Sequence, residues 1–282
     1  NIRANGQLAD RHITENVEIR SKTDNPGIDI IIKPGAENET VHIPVIISET
    51  GLTDLVYNDF IIGDGADVTI IAGCGIHNCG GEKAQHDGIH TFFVGKNAKI
   101  RYIEKHYGEG DGNGENIMNP TTIINIAEGG YMEMETTQIK GVDSTKRVTT
   151  GRLADGATLI VKEKLMTHGK QTAETEFKID LDGENSSTNL ISRSVAKDNS
   201  YQKFVSEING NNICSGHSEC DAIIMDNGRV SAIPEITANN IDASLIHEAA
   251  IGKIAGDQII KLMTLGLTEK QAEEQIINGF LK

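Results

Sequence analysis

Hydrophobic residues in this chain alternate with polar ones far more often than they recur at helical spacing. Met132 and Met134 alternate with Glu133 and Glu135, and Phe177, Ile179 and Leu181 alternate with Lys178 and Asp180. A period of two marks strands with one buried face. Residues 17–20, 28–32 and 55–62 read as further strands. Residues 41–47 make another, which Pro44 assigns to an edge or a kink because proline has no N–H for a ladder.

Turn-forming triplets recur between the strands. They are Asp64-Gly65-Ala66, Lys96-Asn97-Ala98, Glu128-Gly129-Gly130, Asp155-Gly156-Ala157, Asp182-Gly183-Glu184 and Asn209-Gly210-Asn211. Their central residues are 32, 32, 27, 27 and 27 positions apart. Near-constant spacing in this range marks a stacked repeat and favours a mainly β solenoid over a hairpin-rich sandwich. Each repeat is long enough for two to three short strands.

After Ile246 the period becomes helical. Ile259, Leu262 and Met263 share a face, and Gly266 suits a helix C-terminus. Thr268-Glu269-Lys270-Gln271 has the form of a capping box, and Ala272, Ile276 and Phe280 continue an apolar stripe with Ile277 beside it. Two short helices bury little alone. Their stripe must pack on the β part, and leftover apolar surface would serve a partner. An open solenoid end needs a cap, and the N-terminal strands and these helices are the candidates.

Composition agrees with a repetitive β architecture. Aromatics make up 4% of 282 residues, Trp is absent, and there are 30 Gly against 5 Pro. The formal net charge of −15 argues against binding a nucleic-acid backbone or an anionic membrane, and its plain reading is solubility. No apolar run is long enough to span a bilayer. The chain begins at Asn1 rather than Met, so residues upstream are expected. Four cysteines are not a disulfide scaffold; a reducing, cytoplasmic setting fits better.

Chemistry concentrates in residues 214–253. Cys220 ends a turn-like run at 215–219 and precedes an apolar strand at 222–225; His247 and Glu248 follow. Thiolate, imidazole and carboxylate are ligands for zinc or an iron–sulfur centre. The alternative is that Cys220 is a buried small hydrophobe and the His-Glu pair lies on the surface. A second group, Cys74, His77, Cys79, His86 and His90, with His106 further on, has metal-ligand residue types among loop glycines. Its alternative is that His86 and His90 are outward polar positions of a strand. Residues 108–119 read as a mobile loop without the oxygen spacing of a calcium site. Lys140, Lys146, Arg147 and Arg152 form a local basic spot, a solvated face or an interaction patch.

The order HSECDAIIM (217–225), PEI (234–236), HEA (247–249), GKI (252–254), DQI (257–259) and IINGF (276–280) resembles the C-terminal end of the SufB/SufD family. These are scaffold proteins of the SUF iron–sulfur cluster assembly system. Weaker similarity runs back through residues 73–110. The resemblance implies a right-handed parallel β-helix over 63–244, an N-terminal β segment (1–62) packed on it, and a helical subdomain (245–282) docking a SufC-like ABC ATPase. Ile259, Leu262, Met263, Ile276 and Phe280 would face that ATPase. It also implies a homodimer or a pairing with a related chain, and a transient cluster, [4Fe–4S] in type, built near the interface. The Cys at Cys220 would be essential, the Glu at Glu248 a proposed ligand, and the His at His247 shared with SufD-type members. A sulfur donor and apo acceptor proteins would complete the partners.

The chain is short for this family, and the helical N-terminal region of longer members is not recognisable. It carries no G-x-x-x-x-G-K-[ST] motif, so ATP hydrolysis would belong to a partner and the chain would be a non-catalytic scaffold. A SufD-like adaptor without its own cluster is the alternative. A β-helix carbohydrate-active enzyme using paired carboxylates is disfavoured by the scarcity of aromatics.

Overall fold

The computed structural model describes residues 1–282. The chain opens with β1 (Ile2–Ala4), β2 (Gln7–Asp10), β3 (Val17–Ser21), β4 (Gly27–Ile32) and β5 (Glu39–Ile47). It continues through β6 (Thr53–Ile62), β7 (Asp67–His77), β8 (Ala84–Val94), β9 (Lys99–Glu109), β10 (Asn116–Met118), β11 (Thr121–Ile126) and β12 (Tyr131–Lys140). Then come β13 (Ser144–Leu153), β14 (Thr158–Thr167), β15 (Thr172–Leu181), β16 (Ser186–Ala196), β17 (Tyr201–Gly210), β18 (Cys214–Ile224), β19 (Arg229–Ala238) and β20 (Ser244–Gly252). Two helices close the chain, α1 (Gly256–Thr264) and α2 (Glu269–Phe280).

From β4 onward the strands fall alternately into two sheets. One runs β5-β7-β9-β12-β14-β16-β18-β20. The other runs β4-β6-β8, then β10 and β11 together, then β13-β15-β17-β19. Neighbours within each sheet are parallel. The result is a β-solenoid of about eight turns. Antiparallel pairs, β1 with β2 and β3 with β4, finish the sheets at the N-terminal end. β1 reaches only Val45 and Ile46 of β5, so up to Pro44 that strand is an edge.

The repeat is genuine, and its first three steps are as expected, but the later ones are not held at 27. Asp67 pairs with Lys99, Lys99 with Tyr131, Tyr131 with Thr158, Thr158 with Ser187, Ser186 with Cys214, and Ser215 with Ser244, giving steps of 32, 32, 27, 29, 28 and 29. One corner of five successive turns carries a left-handed residue: Gly65, Asn97, Gly129, Gly156 and then Asn185. Only Gly, Asn or Asp enters that region readily. The N–H of each donates to a carbonyl of the next turn at 2.6–3.0 Å. Gly183 lies at the same corner for another reason: a Cβ there would sit 2.0 Å from the Ala154 carbonyl carbon. Gly210 ends β17 and is no turn at all.

Inward residues stack in files. Phe60 stacks on Phe92 at 4.3 Å between ring centroids, and Tyr102 meets Phe92 edge-on at 4.9 Å. Such pairs add about 0.5–1.5 kcal/mol beyond burial of their area.

Three expectations need correction. The run 215–219 is part of β18, not a turn: Ser218 faces inward and bonds the Ser206 hydroxyl, so its polarity is satisfied inside. The solenoid begins near residue 27 and ends at Gly252, so it is longer than 63–244, and helix starts only at Gly256. Strand β20 escaped notice because it lies at the exposed end, where alternation has little burial to enforce it. Finally, the helices do not cover that end. Ile277 and Leu281 pack with Val195, beside Met166, Ile223 and Met225, along a corner of successive turns. The capping box at Thr268 and Gln271 is present, and Gly266 is left-handed after α1. No helix is long and apolar enough to cross a membrane.

Both last strands, β19 and β20, therefore lack a neighbour on one side. Ile233, Ile236, Ile246 and Ile251 are exposed on them.

Candidate functional site

Strand parity decides what the residues of β18 and β20 can reach. Cys214, Gly216, Ser218, Cys220 and Ala222 face the interior, whereas His217, Glu219 and Asp221 face outward. Gly216 is required there, since a Cβ would lie 2.8 Å from Leu245 and 2.9 Å from Ile208. Cys220 is only 1% exposed and stacks between Ser192 and Ala249. Burial first, then the Glu163 and Asp221 carboxylates, push its thiol up to about 12. The sulfur is protonated at neutral pH and becomes a thiolate only when a cation displaces the proton.

His247 pairs with Ser218 in register and so shares the inner face with Cys220. Burial lowers its imidazole below the usual value, which keeps it neutral, and its buried Nδ1 has no hydrogen-bond partner. Glu248 pairs with Glu219 and lies on the outer face, where its Oε2 is 3.5 Å from His217 Nε2. His217 Nδ1 in turn contacts Asn189 Oδ1 at 3.0 Å. The predicted trio is thus divided, with Cys220 and His247 inside and Glu248 outside beside His217. His217 is not among the residues expected at the site. Its odd spacing from Cys220, the parity of a strand's opposite face, was the available signal once 214–224 is read as one strand.

Below Cys220 the interior is polar. Ser192 and Thr175 donate to the Glu163 carboxylate at 2.7 and 2.8 Å. Arg147 donates to Glu104 Oε2 at 2.6 Å, and its Nε lies 4.0 Å from Glu163. Tyr102 donates to Glu104 at 2.9 Å, and His90 contacts the Tyr102 hydroxyl at 2.8 Å. Burial would raise the Glu104 carboxyl, but Arg147 and His106 outweigh it and hold the group well below the carboxylate range. Arg147 is therefore a buried counter-ion and not part of a basic surface spot; Arg152 pairs with Asp182 outside. Neither Glu104 nor Glu163 is open to a sugar.

The second cysteine–histidine group is split by the same parity. Cys74, His86 and His90 line a small cavity of about 20 Å³ with Asn58, Glu104 and His106, room for about one water. His77 ends β7 with its side chain outside, and Cys79 is exposed at the corner that follows. No three His, Cys, Asp or Glu side chains of this chain are grouped to hold a metal ion. Of the expected loop 108–119, both ends belong to strands, β9 up to Glu109 and β10 at Asn116–Met118, and the 110–115 loop is laid against 78–82, with Gly112 N donating to Asn78 O and Gly114 N to Gly80 O.

His90 gives this interior a pH dependence. Burial is the main cause that lowers its pKa from 6.5 to about 4; Glu104 opposes, while His86, His106 and Arg147 reinforce. Between those values the unfolded chain binds the proton and the folded chain does not. Stability is full above 6.5 and is lost as pH falls towards 4, by up to about 3 kcal/mol from this residue. His106 is shifted the same way. Urea midpoints should fall between about pH 7.5 and about pH 5, and His90→Gln should flatten the slope. An identical slope in that variant would show that His90 is not the titrating group.

On the helices, Phe280 is spent packing against the solenoid, and Ile259, Leu262 and Ile276 are half-buried. Of the five residues expected to face a partner, only Met263 is exposed; Ile260 and Leu265, the latter 79% exposed, were not foreseen. A stripe at helical spacing does not tell which of two neighbouring faces meets the β part.

A family model described as "SUF system FeS cluster assembly, SufBD core domain" matches residues 47–280. An iron-sulfur cluster assembly SufBD family protein of Methanocaldococcus jannaschii is 29% identical over 255 residues, covering 89% of this chain and 79% of that protein. One from Archaeoglobus fulgidus is 32% identical over 228 residues, covering 80% and 60%. A third, from Methanothermobacter thermautotrophicus, is 27% identical over 257 residues, covering 88% and 60%. The match spans about three fifths of the length of the last two.

Proposed function

The chain belongs to the SufBD family of SUF-system iron–sulfur cluster assembly proteins, and we propose that it is the scaffold subunit on which a nascent cluster is built. The observation that carries this reading is that Cys220 and His247 share the inner face of the last two strands of their sheet, at the uncovered end of the solenoid. A protonated thiol and a neutral imidazole with an unpartnered nitrogen are ligands waiting for a cation. Two ligands are too few for a [4Fe–4S] cargo, which takes four. A second copy, or a related chain, meeting the same end would supply the rest, with Glu248 and His217 at the rim. Free edges on β19 and β20 and their exposed isoleucines favour such a pairing.

A mixed thiolate, imidazole and carboxylate set holds iron less firmly than four thiolates, which suits a cluster that is passed on to apo acceptor proteins. A SufC-like ABC ATPase would dock on the exposed face of the helices, at Ile260, Met263 and Leu265, and would supply the hydrolysis. The chain itself would be a non-catalytic cytoplasmic subunit.

Burial of Cys220 in the apolar core favours a second reading, that of a SufD-like adaptor. Anaerobic co-expression with the cognate ATPase separates the two. Iron and acid-labile sulfide near stoichiometry, with a cluster absorption band, are expected from the scaffold. A colourless, folded complex would leave the adaptor.

A further inference from the structure

Cys79, His77 and Glu109 form a chain of contacts at a solenoid corner, remote in sequence from Cys220. Cys79 Sγ lies 3.1 Å from His77 Nε2, and His77 Nδ1 lies 3.3 Å from Glu109 Oε1. A carboxylate only accepts, so Nδ1 carries the proton and Nε2 is the acceptor turned towards sulfur. Nucleophile, base and orienting group thus stand in the order that activated thiols use.

The arrangement is held by the fold. His77 and Glu109 are register partners on β7 and β9. Asn78, 2% exposed, fixes the turn: its Oδ1 accepts from Gly80 N at 3.1 Å and its Nδ2 donates to Glu82 O at 2.9 Å. The neighbouring loop closes over the backbone, and a Cβ on Gly112 would lie 2.6 Å from the Cys79 carbonyl carbon.

Of the four cysteines, Cys74, Cys214 and Cys220 are buried and Cys79 is exposed. A scaffold must receive sulfur as well as iron, and only Cys79 presents a thiol to a donor from outside. We propose that Cys79 is the entry thiol, taking sulfane sulfur from a persulfide or polysulfide with His77 as base; this rests on the scaffold reading above. The Cys79 proton passes to His77 Nε2 as Sγ attacks the terminal sulfur of R–S–SH. The Sγ–S bond forms and the R–S bond to that sulfur breaks, its electron pair leaving with R–S. His77 returns the proton to that thiolate, giving Cys79–S–SH and R–SH with no net oxidation.

The test treats the full chain with inorganic tetrasulfide and follows intact mass and peptide maps. A gain of one sulfur, about 32 Da, confined to Cys79 is expected. The reaction should be faster than that of N-acetylcysteine at the same pH. It should slow about tenfold or more in His77→Gln, and less in Glu109→Gln. A Cys79 rate equal to the free thiol and unchanged in His77→Gln would overturn the proposal, as would sulfur on Cys74 with Cys79 untouched. Iron and sulfide content of the ATPase complex is a separate readout. A complex that holds both while Cys79 takes no sulfur refutes this inference alone. Sulfur on Cys79 in a chain that never holds iron supports it and removes the scaffold.

Discussion

Cys220→Ala is expected to lower iron and acid-labile sulfide in the anaerobically purified ATPase complex by about tenfold or more, while leaving the chain folded. The side chain is inside a stacked file, between Ser192 and Ala249, so its loss trims one sulfur atom from the core. That costs on the order of 1 kcal/mol, small for a solenoid of this length. The effect on cargo is large because no other thiol shares the inner face with His247 at this end except Cys214, six residues away on β18. Since the thiol is pushed up to about 12, iron must displace a proton to bind. Loading should therefore rise with pH in the wild-type complex. Retention of iron and sulfide by the alanine variant would refute Cys220 as the site, whatever the fate of the scaffold reading.

Arg147→Met is expected to destabilise the chain by about 3–5 kcal/mol, the range for breaking one partner out of a buried ion pair. The guanidinium is enclosed and donates to Glu104 at 2.6 Å; its removal leaves that carboxylate in the interior with Tyr102, His106 and, at 4.0 Å, His90. Glu163, 4.0 Å from Arg147 Nε, loses its nearest cation as well. Adding Glu104→Gln should restore part of the loss, because a neutral amide needs no counter-ion. The sign with pH also changes. In the native chain Glu104 is held below its ordinary value, so its contribution is present above that value and is lost as pH falls through the folded one. In Arg147→Met burial dominates, and the variant should regain relative stability as acid protonates Glu104. Urea unfolding followed by far-ultraviolet circular dichroism reads both. A loss below about 1 kcal/mol would mean that water solvates the pair.

Much of the architecture could be read from local pattern. Alternation at 132–135 and 177–181 marks strands because a pleated backbone sends successive side chains to opposite faces. Gly and Asn at the recurring corner mark turns because the left-handed region excludes most side chains. The helices after Gly252 declared themselves through a capping box and a terminal glycine. Such signals are carried by residues near one another in the chain, so no tertiary information is needed to see them.

The site was legible by residue type and not by arrangement. His247 and Glu248 are adjacent in sequence, yet one residue of offset in a strand reverses the face, and Glu248 stands outside with His217. Likewise Cys74 and His77 differ by an odd number of positions and part company, one into the core and one to the surface. The Glu109 carboxylate completes the Cys79 corner from 30 residues away, and Arg147 reaches Glu104 across 43. Coiling brings such residues together at the register of the ladder, and that register drifts between 27 and 32 residues per turn. Sequence alone thus determined that this chain is a repetitive β structure with thiol and imidazole side chains near its end. Which of those groups meet was decided by the tertiary structure, because facing and register are properties of neighbouring turns and not of any one strand.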